Sequence, residues 1–374
     1  MKLIINSGST FKGGSEQVAL SFIDECRNYP EHDFHVVIGK HLANRINRSL
    51  FPNNFFFYVL KIRPASGIFT FIKSMLWFRK LERKVKPDCV IATGGHGYWR
   101  PKAPLVTGFN MAHYLYPESP YFSRMSFKRR IYWKFKKIID LYYFSRVDVF
   151  LTQTDDVNKR VRQLMKKNNV YTVSNTVNGQ FYEPQEYPHK LPDKGKGEIR
   201  LLTLSSYYPH KNLEIINDVI LELLKRGIRN MKFVLTIPEP IYQSKFSDVS
   251  RDYIYNIGPV SINECPSLYK EIDFMFLPTL LECFSASYAE AMIMKKPILT
   301  SDMDFAYTVC KDAAVYFDPL NPEDIVEKIS NLSMDKDYQK KLIQRGSRIV
   351  KNLNTPASRA EKYLSICENL ASHG

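Results

Sequence analysis

Short apolar runs bounded by turn residues alternate with helix-length segments, and the chain does this twice. The first round occupies residues 2–6, 35–39, 55–60, 88–92, 104–108 and 148–152, and the second 199–205, 232–237, 253–258, 273–278, 296–301 and 313–317. A strand that is apolar along its whole length needs cover on both faces, which a parallel sheet flanked by helices provides. The segments between carry the helical period instead, as in Leu213, Ile216, Val219, Ile220 and Leu223. Such alternation specifies α/β lobes with mainly parallel sheets. Between the rounds, "YEPQEYPHKLPDKGKGE" (182–198) has three Pro, two Gly and no periodicity, and reads as a linker. The expected organisation is an N-terminal lobe (1–185), a linker (186–198), a second lobe (199–355) and a final helical segment (356–374) that packs back on the first lobe. A chain of 374 residues is comfortable for two such domains.

The net charge of +15 is unevenly placed. Residues 1–190 hold 30 Lys and Arg against 14 Asp and Glu, while residues 191–374 hold 23 against 24. The first half is therefore expected to meet something anionic, a membrane surface or nucleic acid. No RNP, KH or zinc motif supports nucleic acid. The six cysteines form no C-x-x-C pair, which fits a reducing cytoplasm and signals neither a zinc site nor a disulfide framework. Three consecutive apolar residues before Asn6 are too few for a signal peptide, and nowhere do 18 apolar residues run together, so a cytoplasmic protein is expected.

Behind the first strand lies "NSGSTFKGGSEQ" (6–17). Its Gly8-to-Gly13 spacing fits a P-loop, but Gly14 stands where that motif needs Lys. A dinucleotide fingerprint is absent too, and the second strand runs into Gly39-Lys40 rather than an acid for a ribose. What remains is a glycine loop before a helix, suited either to an anion or polar sugar, or to a tight turn alone.

The second round carries more specific signals. In "LPTLLECFSASYAEAMIMKKPILTSD" (277–302), Glu282 and Glu290 straddle a junction at which Pro278 ends a strand and Ser285 can cap a helix. Open α/β sheets bind ligands beyond the carboxyl ends of their strands, and two carboxylates there can accept from vicinal hydroxyls; a pair of surface acids at a helix start is the alternative. In "LSSYYPHKNLEIINDVI" (204–220), Lys211 stands beside an expected helix start near Asn212. It opposes the helix dipole unless an anion binds there, or is simply solvated.

With P-H-K-N after the first strand of the second lobe and E-x7-E after its fourth, the chain resembles the retaining glycosyltransferases of the GT-B fold, especially the GT4 family. "GGSEQ" (13–17), "TQTDDV" (152–157), "NTVNGQFY" (175–182) and "AAVYFDPLNPEDI" (313–325) extend the likeness over nearly the whole chain. The resemblance implies two Rossmann-like lobes with a cleft between them. It also implies transfer of a hexosyl group from a nucleotide diphosphate sugar to a glycan or lipid-linked acceptor, as in surface polysaccharide or lipopolysaccharide synthesis, without metal or other cofactor. An epimerase of the same fold is the runner-up. On this likeness Lys211 clamps the donor diphosphate, Glu290 holds the ribose hydroxyls, Glu282, Phe284 and Ser285 hold the donor sugar, and Gly258 to Val260 lie where the base is held. Gly13 and Gly14 would let backbone approach the diphosphate or the acceptor. Ser205-Ser206 replaces the G-R of many relatives, which removes one diphosphate cation from a loop where Ser206 still meets the donor, and E-C-F-S replaces E-G-F-G. His113 matches the histidine directed at the donor sugar, with His96 as competitor; either can instead bond within the core. Asp302-Met303-Asp304 imitates a D-x-D metal motif but reads as turn-forming acids.

The stretch "FSRMSFKRRIYWKFKKIIDLYYF" (122–144) is basic and aromatic. As a helix it aligns Phe127, Ile131, Phe135, Ile138 and Tyr142 in one stripe, expected to pack on the core. Trp133 would then stand among Arg129, Arg130, Lys136 and Lys137, a face suited to an anionic membrane surface. A peripheral position on the inner face of the cell membrane follows as an expectation.

Overall fold

The computed structural model describes residues 1–8, 10 and 14–372. Gly13 thus lies outside the described residues. The chain divides into two compact units, residues 1–117, 124–176 and 354–374 forming the first and 118–123 with 177–353 the second.

In the first unit the strands are β1 (Lys2–Ser7), β2 (Asp33–Gly39), β3 (Phe55–Leu60), β4 (Cys89–Ala92), β5 (Leu105–Gly108), β6 (Val149–Thr152) and β7 (Val170–Thr172). All pair in parallel in the order β3-β2-β1-β4-β5-β6-β7, with Lys2 opposite Asp33 and Leu3 opposite Cys89. The helices are α1 (Gly14–Glu25), α2 (Lys40–Ala43), α3 (Ile68–Val85), α4 (Ala112–Leu115), α5 (Phe127–Phe144) and α6 (Asp155–Met165). Leu3, Ile5, Val36, Ile38 and Ile91 meet Phe22 and Ile23 of α1 in the core, as a sheet covered on both faces requires.

The second unit repeats the plan with β8 (Ile199–Thr203), β9 (Met231–Leu235), β10 (Ile254–Asn256), β11 (Phe274–Leu277), β12 (Ile298–Ser301) and β13 (Ala314–Phe317), ordered β10-β9-β8-β11-β12-β13 and again parallel. Its helices are α7 (Ile215–Lys225), α8 (Glu239–Lys245), α9 (Asp248–Arg251), α10 (Cys265–Lys270), α11 (Ala286–Ile293), α12 (Asp304–Cys310), α13 (Pro322–Met334) and α14 (Lys336–Lys351). Leu201, Phe233 and Phe276 of the sheet pack with Ile216, Val219, Ile325 and Ile329 of the covering helices.

The last helix, α15 (Pro356–Ser372), belongs to the first unit. Its Ala360, Tyr363, Leu364 and Cys367 join that core, Tyr363 meets Phe22 edge-on at 5.2 Å, and buried Arg359 donates to the Val18 carbonyl at 3.2 Å. The Pro-rich stretch is not a free linker. The Tyr187 amide donates to Ser267 Oγ (3.2 Å), the Leu191 amide to Glu271 (2.9 Å), and Lys194 pairs with Asp273 (2.6 Å), all within the second unit.

Helix α5 reverses the expectation drawn from its periodicity. The stripe of Phe127, Ile131, Phe135, Ile138 and Tyr142 is exposed, Phe127 to 77% and Ile138 to 66%. The inward face is the other one, with Asp140 and Phe144 buried and Trp133, Lys136 and Lys137 half-buried. Trp133 stacks on His113 (4.0 Å between centroids, 13° between planes), Lys136 is ion-paired with Asp140, and Lys137 Nζ lies 3.5 Å from the Tyr114 carbonyl. These three residues are committed to the unit itself, which corrects their reading as a membrane face; Arg129 and Arg130 are exposed. The physical reason is the polar anchor. Asp140 on the inward face binds His96, Lys136 and Tyr114, and a helix with apolar residues on both sides turns toward the side that satisfies its buried acid.

Candidate active site

Both sheets grow outward from a central pair, β1 with β4 and β8 with β11, with later strands added in opposite directions. A crevice opens beyond the carboxyl ends of such a pair because the chain leaves to opposite faces there. In the second unit that crevice is bounded by residues 204–212 after β8 and residues 278–285 after β11.

The two loops are joined at one carbonyl. The Leu280 amide donates to the His210 oxygen at 2.8 Å, and the Thr279 hydroxyl lies 3.2 Å from the same oxygen. This brings Lys211 against Glu282: their side chains form an ion pair, with each side chain only 13% exposed. Thr279 Oγ1 also reaches Glu282 Oε1 at 3.3 Å. Lys211 sits in a single 3-10 turn (Pro209–Lys211) and not at the start of α7, which begins four residues later. Its charge therefore meets Glu282 rather than a helix dipole. Asn212 sustains the bend with a left-handed φ of 55°, a conformation asparagine tolerates, and its buried side chain donates to the Pro319 carbonyl at 2.8 Å.

Glu290, on α11, lies deeper. It is buried and its Oε2 has no hydrogen-bond partner. Burial pushes its carboxyl up to about 7, with a hydrogen bond from Tyr269 working the other way. Ser285 occupies the cap position of α11, buried, without capping the helix through its hydroxyl. Phe284 is half-buried beside it and Ser206 is exposed on the β8 loop. Gly258, beyond β10, has φ of 72°, a backbone shape that favours glycine, and Val260 after it is half-buried. Lys211, Glu282 and Ser285 thus gather at one crevice, with Glu290 on the helix that leaves it. Thr279 and Tyr269 belong to the same cluster and escaped sequence reasoning; a hydroxyl directly after Pro278 at the end of an apolar strand was the available signal for Thr279.

The first unit has a corresponding crevice of its own, furnished differently. Ser7 Oγ lies 2.9 Å from Thr93 Oγ1, and Asn6 Nδ2 donates to the Gly97 carbonyl at 3.1 Å. Gly14 opens α1, and a Cβ added there would meet nothing within 4 Å. His96 is a buried core residue, stacked on Tyr143 at 4.8 Å with its Nε2 3.4 Å from Asp140. Burial alone would raise Asp140, but hydrogen bonds from His96, Lys136 and Tyr114 bring it down to about 2. His113, on α4, is half-buried under Trp133. Asp302 follows β12, its amide donating to Phe317 at 2.8 Å, and Asp304 opens α12. Among the described residues no group of three or more His, Cys, Asp or Glu is placed to hold a metal ion.

Residues 198–335 match the family described as "Glycosyl transferases group 1". Solved structures match the chain over nearly its whole length. Sucrose-phosphate synthase from Thermosynechococcus elongatus aligns with a TM-score of 0.75 at 12% identity, covering 100% of this chain and 99% of the other. WaaG, a glycosyltransferase involved in lipopolysaccharide biosynthesis, aligns with 0.73 at 12% identity (98% and 99%). HepE from Anabaena in complex with UDP-glucose aligns with 0.70 at 12% identity (98% and 99%). No curated protein matches the sequence significantly. The chain therefore has the GT-B fold of these structures, and within it residues 198–335 match the family model described as "Glycosyl transferases group 1".

Proposed function

We propose that this protein transfers a hexosyl group from a nucleotide diphosphate sugar, with retention at the anomeric carbon, to a glycan or lipid-linked acceptor of surface polysaccharide or lipopolysaccharide, working at the inner face of a membrane. The observation that carries the reading is the meeting of Lys211 and Glu282 at the crevice of a group 1 domain, with the unpartnered carboxylate oxygen of Glu290 close in sequence on the helix behind it. That HepE is described with UDP-glucose supports a nucleotide sugar as donor.

The chemistry follows from charge exchange. Without donor, Lys211 is neutralised by Glu282. An arriving diphosphate takes the ammonium, and the released carboxylate accepts hydroxyls of the sugar. As the glycosidic bond to the diphosphate breaks, the acceptor oxygen bonds to the anomeric carbon and passes its proton to the departing diphosphate oxygen, where negative charge grows and a fixed lysine counts most. The ribose hydroxyls donate to Glu290 and supply the partner its Oε2 lacks. Phe284 and Ser285 line the sugar, Gly258 and Val260 flank the base, and His113 and the backbone at Gly14 serve from the first unit. No metal is needed in this scheme because Lys211 carries the compensating charge.

A panel of UDP-, GDP- and ADP-sugars tests it, scored for thermal stabilisation and for sugar release or transfer, since a ligand of the folded state alone raises its stability. One base series should stabilise wild type and fail to stabilise Glu290→Ala. No stabilisation by any nucleotide sugar overturns the reading, and a product of inverted anomeric configuration overturns retention.

A further inference from the structure

Helices α3 and α5 are neighbours in the first unit, joined where Phe71 meets Tyr143 at 5.3 Å. Each turns an apolar face outward. On α5 it is Phe127, Ile131, Phe135 and Ile138, with Tyr142 closing the row. On the first half of α3 it is Ile68, Phe69, Ile72 and Leu76, Phe69 being 79% exposed. Soluble domains rarely leave such rows uncovered. The charges beside them are of one sign. Lys73, Arg79 and Lys80 on α3 and Lys128, Arg129 and Lys134 on α5 are exposed, whereas the only acids on these helices are turned inward: Glu82 receives Trp99 Nε1 at 3.0 Å, and Asp140 is buried. A second copy of the chain would set these cations against themselves. An anionic bilayer matches both features, since rings and branched chains enter the acyl boundary while the basic residues reach phosphate headgroups.

We propose that the outward faces of α3 and α5 insert into the interface of an anionic membrane, Phe127, Phe135, Ile138 and Phe69 entering the bilayer and Lys128, Lys134 and Lys73 binding its headgroups. The attachment needs the apolar rows and the cations together, and it leaves Trp133 stacked on His113. It rests on the transfer reading only for its purpose, the delivery of a lipid-linked acceptor. No helix among the described residues is long and apolar enough to cross a membrane, so the contact is lateral.

Sedimentation with vesicles of phosphatidylglycerol and phosphatidylcholine, without any donor, tests the surface independently of transfer. Wild type should bind these vesicles and leave pure phosphatidylcholine largely free. The triple variant Phe127→Ser, Phe135→Ser, Ile138→Ser should lose at least about tenfold in partition at low and high salt alike, because apolar insertion is not screened. Lys128→Gln with Lys134→Gln should lose several-fold at low salt and little at high salt. Unchanged melting temperatures establish that the variants fold. Equal partition of wild type and triple variant overturns the proposal. So does a wild-type dimer that ignores vesicles and becomes monomeric in the triple variant, which would assign the face to a second copy. Failure of donor stabilisation with vesicle binding intact would defeat the transfer reading and leave this one standing.

Discussion

The two units share one blueprint, a parallel sheet ordered 3-2-1-4-5-6 from its own first strand and extended by a seventh strand in the first unit, yet they spend their polar residues differently. The second unit places a lysine and a carboxylate against each other at its crevice, with a second, partly unsatisfied carboxylate on the helix behind. Among the described residues the first unit keeps uncharged groups, Asn6, Ser7 and Thr93, at the corresponding point, and exposes Lys73, Arg79 and Lys80 on α3 and Lys128, Arg129 and Lys134 on α5. A fold thus fixes where a ligand can bind, and side chains decide whether the place is used for chemistry or for shape.

Equivalent substitutions at the two crevices probe that division. Lys211→Ala should lower turnover of the folded protein by about 10²–10³-fold and also lower the melting temperature, because Glu282 loses its partner, whereas Ser7→Ala should cost less than about tenfold in turnover. Similar losses in both erase the distinction. Next comes Glu290→Gln, which should weaken donor binding by about 1–3 kcal/mol, roughly five- to 150-fold. Because burial raises Glu290 from 4.5 to about 7, its contribution to stability is fully present below about pH 4.5 and lost as pH rises through 7, up to about 3 kcal/mol in all. Denaturant unfolding across pH 4.5–8 should show that decline in wild type and a flatter profile in Glu290→Gln. Donor affinity should run the opposite way, rising through pH 7 as the carboxylate ionises; a flat binding profile would detach Glu290 from the ribose.

Within the first unit, His96→Asn should lower stability by about 1–3 kcal/mol and leave turnover of the folded enzyme unchanged, since His96 serves Asp140. His113→Ala should do the reverse, lowering turnover while melting holds; interchange of the two results would return the donor-facing role to His96. The smallest expected effect is that of a chelator, which should leave turnover unaltered. Activity lost to it and restored by magnesium or manganese would give Asp302 and Asp304 a role.

The sheets were legible because buried parallel strands announce themselves as unbroken apolar runs. The exception, β7, is three residues long, and Tyr171 and Thr172 are exposed, so no run marks it. The meeting of Lys211 with Glu282 was legible only as two motifs. Their contact depends on the His210 carbonyl, which has no signature in residue type, and on a left-handed turn that Asn212 tolerates but does not by itself announce. The Pro-rich stretch misled because composition reports the absence of regular structure and not whether Ser267 or Glu271 waits for its amides. Periodicity in α5 identified two faces correctly and assigned them inversely, since hydrophobicity outvotes a single acid in any pattern, while the buried Asp140 decides the packing. The same blindness applies to residues 118–123, which belong to the second unit through a Ser119 hydroxyl bonded to the Leu280 carbonyl at 2.7 Å.

That α15 completes the first unit has a consequence for how the protein is made. A ribosome producing roughly 5–20 residues per second must add residues 177–353 before Asn354 appears, a delay on the order of ten seconds or more. Throughout it the nascent first unit lacks the cover for Phe22 and its neighbours on α1, and the residue that will satisfy the Val18 carbonyl has not yet been translated. The second unit can finish folding first although it is encoded later, and the order of maturation runs against the order of synthesis. A chain released before residue 354 would leave the ribosome with its amino-terminal half still open, a natural client for chaperones and proteases.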